Sequence, residues 1–257
     1  IGNSFKNYVM NHFHVNKWTD KGLRLNAEPQ DFYVNLVLKN TETLSRLLMP
    51  GLKVSENTSL TATFTSSNYQ LHSTLESEKI TYNKFIFNDL YVKNKTDKNK
   101  ATANISLKEF IIKESSDKNP VGLGLENLEL AFDAHNDSLM LGFNWNDVSL
   151  DDKNKGSLNA MFLSKDKTGG VLHVTSSDVI INDSLWNISP TCYVNFNKNK
   201  ITFDEFDIFS GNQSVKIRGC FPKTSNDTIN LEFNNLNISD FDLLTAGYGI
   251  DVDGYIA

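Results

Sequence analysis

The sequence predicts an all-β fold: an elongated, curved β-sheet, a β-taco or β-solenoid-like trough, decorated by two or three short helices. Three observations carry this expectation. Most of the chain reads as segments of roughly 5 to 10 residues in which apolar and polar side chains alternate, the period of a half-buried strand. These segments are separated by turn chemistry, as at Asn94-Lys95-Thr96-Asp97, Lys153-Asn154-Lys155-Gly156, Thr168-Gly169-Gly170 and Ser210-Gly211-Asn212. Writing Φ for any apolar residue, a degenerate pattern ΦxΦxxΦxΦ recurs along the chain.

The helical decorations are brief. Phe5, Tyr8, Val9 and His12 have the i, i+3, i+4, i+7 spacing of a helix face, and Leu44, Leu47 and Leu48 repeat part of it before Pro50-Gly51 ends the pattern. A third helix is expected at Phe241 and Leu244, with Ser239 as N-cap and Gly247 as terminator. Similar strands recur about every 18 to 30 residues, which favours a meander or solenoid over a Greek-key sandwich.

The ΦxΦxxΦxΦ pattern occurs at Ile80-Tyr82-Phe85-Phe87, Ile105-Leu107-Phe110-Ile112, Leu123-Leu125-Leu128-Leu130, Phe143-Trp145-Val148-Leu150, Ile201-Phe203-Phe206-Ile208 and Leu231-Phe233-Leu236-Ile238. Strict alternation would send its second apolar pair to the opposite face, unless a bulge absorbs one residue and bends the strand. Strands bent at one level would curl the sheet so that both pairs line its concave side. The alternative is two short strands around a tight turn, such as Asn234-Asn235. The first two copies, Phe143 and Trp145 of the fourth, the whole fifth copy, and Leu231 and Phe233 of the sixth are the candidate groove residues.

A longer similarity relates the ends. Val34-Asn35-Leu36-Val37-Leu38-Lys39-Asn40, then Leu47-Leu48, Gly51 and Val54, parallels Ile229-Asn230-Leu231-Glu232-Phe233-Asn234-Asn235, then Leu243-Leu244, Gly247 and Ile250. The chain is expected to be a single elongated segment of a longer protein, with repeat units at about 1–79, 80–184 and 185–257.

Composition excludes several functions. The net charge is -6, from 25 Lys plus Arg against 31 Asp plus Glu, and no dense basic cluster offsets its repulsion of a phosphate backbone. Cys192 and Cys220 lack the spacing of a zinc site, and a meander would put a strand between them, so two free thiols are expected. The five histidines, His12, His14, His72, His135 and His173, have no consistent partner; His12 and His14 share a face if extended but lack a third ligand nearby. The adjacent acids Asp151-Asp152 and Asp204-Glu205 would point to opposite faces rather than converge. There is no G-x-S-x-G elbow, P-loop, G-x-G-x-x-G fingerprint or H-E-x-x-H helix. No catalytic residue, metal or cofactor is expected.

Leu185-Trp186-Asn187-Ile188-Ser189-Pro190, the strand Ile201 to Phe209, Val215-Lys216-Ile217-Arg218-Gly219 and the stretch from Ile229 to Asp253-Gly254 follow one another in an order that resembles the repeat region of TamB-like proteins of the AsmA superfamily. The likeness is strongest over residues 185–257 and extends to 23–64. It implies a periplasmic, non-enzymatic β-taco, anchored in the inner membrane through parts of the full protein outside this chain. Its apolar groove would take lipid acyl chains between inner and outer membrane, with an outer-membrane assembly protein of the TamA/BamA type as partner. A scaffold that assembles outer-membrane or autotransporter proteins by β-augmentation, or a surface adhesin or glycan-binding solenoid, is compatible with the same strands.

Overall fold

The computed structural model describes residues 28–42, 45, 49–113, 123–147, 153–166, 169–197, 200–221, 227–241 and 253–256. Among them the fold is all-β, and one antiparallel sheet of 15 strands holds most of the chain. The strands are β1 (Asp31–Val37), β2 (Leu52–Val54), β3 (Ser59–Thr65), β4 (Gln70–Tyr82), β5 (Phe85–Thr96), β6 (Lys100–Lys113), β7 (Leu123–His135) and β8 (Ser138–Asp147). They continue as β9 (Lys155–Asp166), β10 (Gly169–Ile181), β11 (Ser184–Ile188), β12 (Tyr193–Asn197), β13 (Lys200–Ser210), β14 (Gln213–Cys220) and β15 (Ile229–Asn234). Two further strands, β16 (Leu236–Asn237) and β17 (Tyr255–Ile256), form a separate pair.

The order across the sheet is β1-β3-β4-β5-β6-β7-β8-β9-β10, then the short β11 and β12 end to end in one lane between β10 and β13, then β14 and β15; β2 pairs with the end of β4. This is the meander that the spacing predicts. Asparagine supplies much of the turn chemistry. Asn83, Asn136, Asn182 and Asp183 hold φ of 55°, 53°, 48° and 62° at hairpin turns, a left-handed conformation that Asn, Asp and Gly tolerate better than other residues.

Some expectations need correction. Strands reach 14 residues in β6, longer than expected, and several predicted turn residues extend strands instead: Asn94, Lys95 and Thr96 close β5, Lys155-Gly156 opens β9 and Gly169-Gly170 opens β10. The fourth predicted turn keeps its place, with Gly211-Asn212 between β13 and β14 and Ser210 ending β13, and Lys153-Asn154 of the second also lie between strands. The first predicted helix lies outside the described residues, as do Leu44, Leu47 and Leu48 of the second; at the ends of that segment Ser45 N–H donates to Thr41 O and Met49 N–H to Ser45 O. At the third, Ile238–Phe241 forms a 3-10 turn, while Leu244 and Gly247 lie outside the described residues.

The repeated motif has more than one outcome. Ile80-Tyr82-Phe85-Phe87 is a hairpin, with Tyr82 opposite Phe85 and Ile80 opposite Phe87. Leu123 to Leu130 and Ile201 to Ile208 are single strands whose register shifts by one residue between Glu126 and Glu129 and between Phe203 and Phe206. These are the expected bulges, the second at Asp204-Glu205. At the sixth copy the chain leaves the sheet: β15 ends at Asn234, Asn235 takes a φ of 47°, and Leu236 pairs with Ile256. Val148 and Leu150 of the fourth lie outside the described residues.

The chain exposes 16423 Å², whereas a compact monomer of its mass exposes about 11,400 Å². Small-angle scattering is therefore expected to give a radius of gyration above the roughly 18 Å of a compact chain of this length; a value at or below that would contradict the extended sheet.

Candidate functional site: a continuous apolar face

Paired residues of adjacent strands share a face, and alternate residues of a strand do so too. The register therefore assigns faces without further assumption. One row crosses the whole sheet: Phe32, Phe64, Leu71, Thr96, Ala101, Ala134, Leu139, Phe162, Leu172, Val194, Phe203, Gly219 and Ile229 are successive partners from β1 to β15. At ~4.8 Å per strand spacing it spans about 58 Å. A parallel row on the same face runs Leu36, Leu60, Leu75, Val92, Ile105, Leu130, Phe143 and Leu158.

The opposite face is polar. Asn35, Thr61, Thr74, Lys93, Asn104, Ala131, Gly142, Asn159 and Ser176 form one of its rows. The sheet is thus two-faced along its length; close backbone contacts between described strands run mainly between sheet neighbours, with β16 touching β14 at one end.

The jogs extend the apolar face. β8 pairs with β9 without a shift from Ser138 to Asn146, so Phe143, Trp145 and Asp147 point to one side. Asp147 is the partner of Leu125, and the row continues through Phe110, Phe87 and Ile80 to Val54. Ile105 and Phe110 are five positions apart in β6, yet both lie on the face of Phe143. Strict alternation forbids this, so the strand must jog between them. The jog is visible in the left-handed φ of 50° at Asp89 in β5 and 46° at Asn127 in β7. Because β4 to β7 share it at one level, their mutual register is undisturbed there, and the offset appears only against β8.

All the candidate groove residues consequently lie on the apolar face. Phe87 and Phe110 stack at 4.9 Å, Phe143 and Trp145 at 4.6 Å, and Phe203 meets Phe206 edge-on at 6.1 Å across the bulge. Ile201 faces Phe196, Ile208 faces Val215, and Val215 faces Phe233. Leu107 and its partner Leu128 are among the buried residues, whereas Leu231, on the edge strand, is 56% exposed. The sequence reading missed Phe32, Phe64, Leu71, Leu139, Phe162, Leu172 and Val194. Plain alternation within each strand would have found them; the motif search did not, since it required the jog.

Several polar groups on this face are held by the backbone or by neighbours. Thr96 is 2% exposed; its Oγ1 accepts from Leu71 N–H at 2.9 Å and donates to Leu71 O at 3.3 Å. Ser177 Oγ accepts from Ile188 N–H at 2.7 Å, and Asn154 Nδ2 donates to Asp147 Oδ2 at 2.7 Å. The hydroxyls of Thr58 and Ser77 bond each other at 2.7 Å.

Elsewhere the sequence expectations can be placed. Cys192 and Cys220 are unbonded thiols, with β13 running between β12 and β14. Burial, above all, pushes the Cys192 thiol up from its ordinary value, against the pull of the Asp207 backbone N–H; that N–H reaches Sγ at 3.1 Å. Cys220 Sγ donates to Asp227 Oδ1 at 3.2 Å, and Cys220 and Asp227 together hold the Lys200 ammonium above its ordinary value. Asp204 and Glu205 do not converge: Asp204 accepts from Asn195 and Glu205 from Arg218. His12, His14, Asp151 and Asp152 lie outside the described residues. Among the described residues no group of three His, Cys, Asp or Glu could hold a metal, and no helix is long and apolar enough to cross a membrane.

Compared with protein-family models, with curated proteins and with solved structures, the chain matches none.

Two outcomes follow from this geometry. A Cβ on Gly156 would collide with the Trp145 ring, which lies across it, so Gly156→Ala should lower stability in urea by about 1–3 kcal/mol. Gly142→Ala on the polar face, which meets only ordinary contacts, should not. A thiol reagent should modify half-buried Cys220 in the native protein and reach Cys192, 0% exposed, only on unfolding; equal rates would show that the β12 margin opens in the native state.

Proposed function

We propose that the apolar face is a path for lipid acyl chains, and that the chain is a non-enzymatic segment of a TamB-like periplasmic protein serving outer-membrane biogenesis. The observation that carries this reading is the row of register partners from Phe32 to Ile229. Each methylene withdrawn from water is worth about 0.8 kcal/mol, so an acyl chain of roughly 16 carbons needs about 12 kcal/mol matched at every point of its path. An interrupted surface cannot do that. The row is about 58 Å long, against about 30 Å for the hydrocarbon core of a bilayer.

The same reading gives the bulges a purpose. Bulges bend a strand and increase its twist, and here they recur in β7, in β10 between Val174 and Ser176, and in β13. Bending along that line turns the two halves of the apolar face toward each other and makes the sheet a taco-like trough, with the polar face outward. Anchorage in the inner membrane and a TamA/BamA-type partner at the outer membrane belong to the longer protein that the resemblance implies.

One observation favours a second reading, the β-augmentation scaffold. The outer edge of β1 has no strand partner among the described residues, and Tyr33, Val34, Leu36 and Val37 are 65%, 37%, 45% and 44% exposed. An unfolded strand could extend the sheet there. Nothing comparable favours an adhesin, since Trp145 and Trp186 lie on the apolar face rather than on exposed loops.

Adjacent positions on opposite faces supply the test. A photo-crosslinking residue placed at Ala101 should capture phospholipid when the chain is made in a Gram-negative cell, and one at Thr102 should not, with the adducts identified by mass spectrometry. Equal capture at both positions, or none at Ala101, would remove the conduit; capture of outer-membrane protein at Tyr33 alone would favour the scaffold.

A further inference from the structure

The polar face carries one feature that solvation does not explain. Of the four methionines in the chain, Met140 on β8 and Met161 on β9 are register partners, and Met161 is in turn the partner of His173 on β10. Three side chains with sulfur or imidazole donors thus stand in one row on consecutive strands. Met140 is 59% exposed, on a face where its row is otherwise mostly polar: Thr63, His72, Lys95, Thr102 and Asp133 precede it.

Geometry allows the donors to meet. Directly opposed residues of an antiparallel pair have Cβ atoms about 4.5–5.5 Å apart, and the unbranched thioether arm of methionine has three rotatable bonds. Met161 in the middle is within reach of both neighbours.

His173 is already held as a ligand. Its Nε2 lies 2.8 Å from Pro190 O. A carbonyl oxygen only accepts, so Nε2 carries the hydrogen and Nδ1 keeps the lone pair. The ring is further fixed by stacking on Tyr193 at 4.6 Å. A metal-binding histidine is characteristically oriented in this way, with its second ring nitrogen donating to a backbone carbonyl.

We infer that Met140, Met161 and His173 form a binding site for a soft monovalent cation, copper(I), held by two thioether sulfurs and Nδ1 of the imidazole. Thioethers select Cu(I), and imidazole suits copper equally well. Hard cations lack a ligand here, because the nearest acid in the row, Asp133, is paired with Lys100 at 2.7 Å. The site is independent of the acyl path, which lies on the other face.

The test labels the methionine methyl groups with carbon-13 and titrates the intact chain with Cu(I) under anaerobic, chelator-buffered conditions, following the methyl signals by NMR. The thiols of Cys192 and Cys220 also take copper, so the readout is at methionine. The Met140 and Met161 signals should shift together and saturate at one copper activity, while Met49 stays put. Met161→Leu, which keeps the apolar volume, should leave the fold intact and weaken the Met140 shift about tenfold or more, and His173→Gln should weaken both methyl shifts by a similar factor. Methyl signals of Met140 and Met161 that do not move once the thiols are saturated would overturn the site, as would a Met140 response unchanged by Met161→Leu. Should a variant fail to fold, the titration of the unaltered chain decides alone.

Discussion

Inter-strand register is the constraint on which the rest of this structure depends. A side-chain period of two means that a slip of one residue would carry a strand's apolar set to the polar face. Here the set is one face of a sheet of 15 strands, so an error in one strand would break a row that crosses them all. Register is held between neighbouring strands, and the means are visible: short left-handed turns at Asn83, Asn136 and Asn182-Asp183, and cross-strand contacts such as Phe32 with Phe64 and Phe87 with Phe110. Thr96 shows how far this goes, since the one hydroxyl in the longest apolar row turns back onto the backbone of the neighbouring strand.

Bulges are the second half of the same device. A lone bulge would put its strand out of step with both neighbours. In β4 to β7 the jog is shared, so pairing inside that block is preserved and the mismatch is confined to one boundary, between β7 and β8. The face stays apolar on both sides of the jog, and that continuity is what the proposed acyl path requires. The proposed copper site also depends on register, but on the other face and in the unjogged stretch of β8 and β9, where Met140 and Met161 are held opposite each other.

Much of this was legible in the sequence. Local alternation and turn residues determine the all-β class and the meander, because both act within a few residues of chain. The ΦxΦxxΦxΦ spacing correctly placed a bulge between Phe203 and Phe206 and put all the candidate groove residues on one face. It failed at Tyr82 and Phe85, where Asn83-Lys84 can serve equally as the two residues of a hairpin turn. The spacing alone does not distinguish a bulge from a turn, since each consumes two residues.

What only the tertiary structure decided is which strand lies beside which, and in what register. That Phe32 belongs to the same row as Ile229, or that Met140, Met161 and His173 stand side by side, follows from hydrogen bonds between segments tens of residues apart, and no local pattern encodes their offset. The sequence by itself determined that each strand has an apolar and a polar side. Pairing decided that these sides join into one uninterrupted face, because only the inter-strand ladder converts separate alternations into a surface.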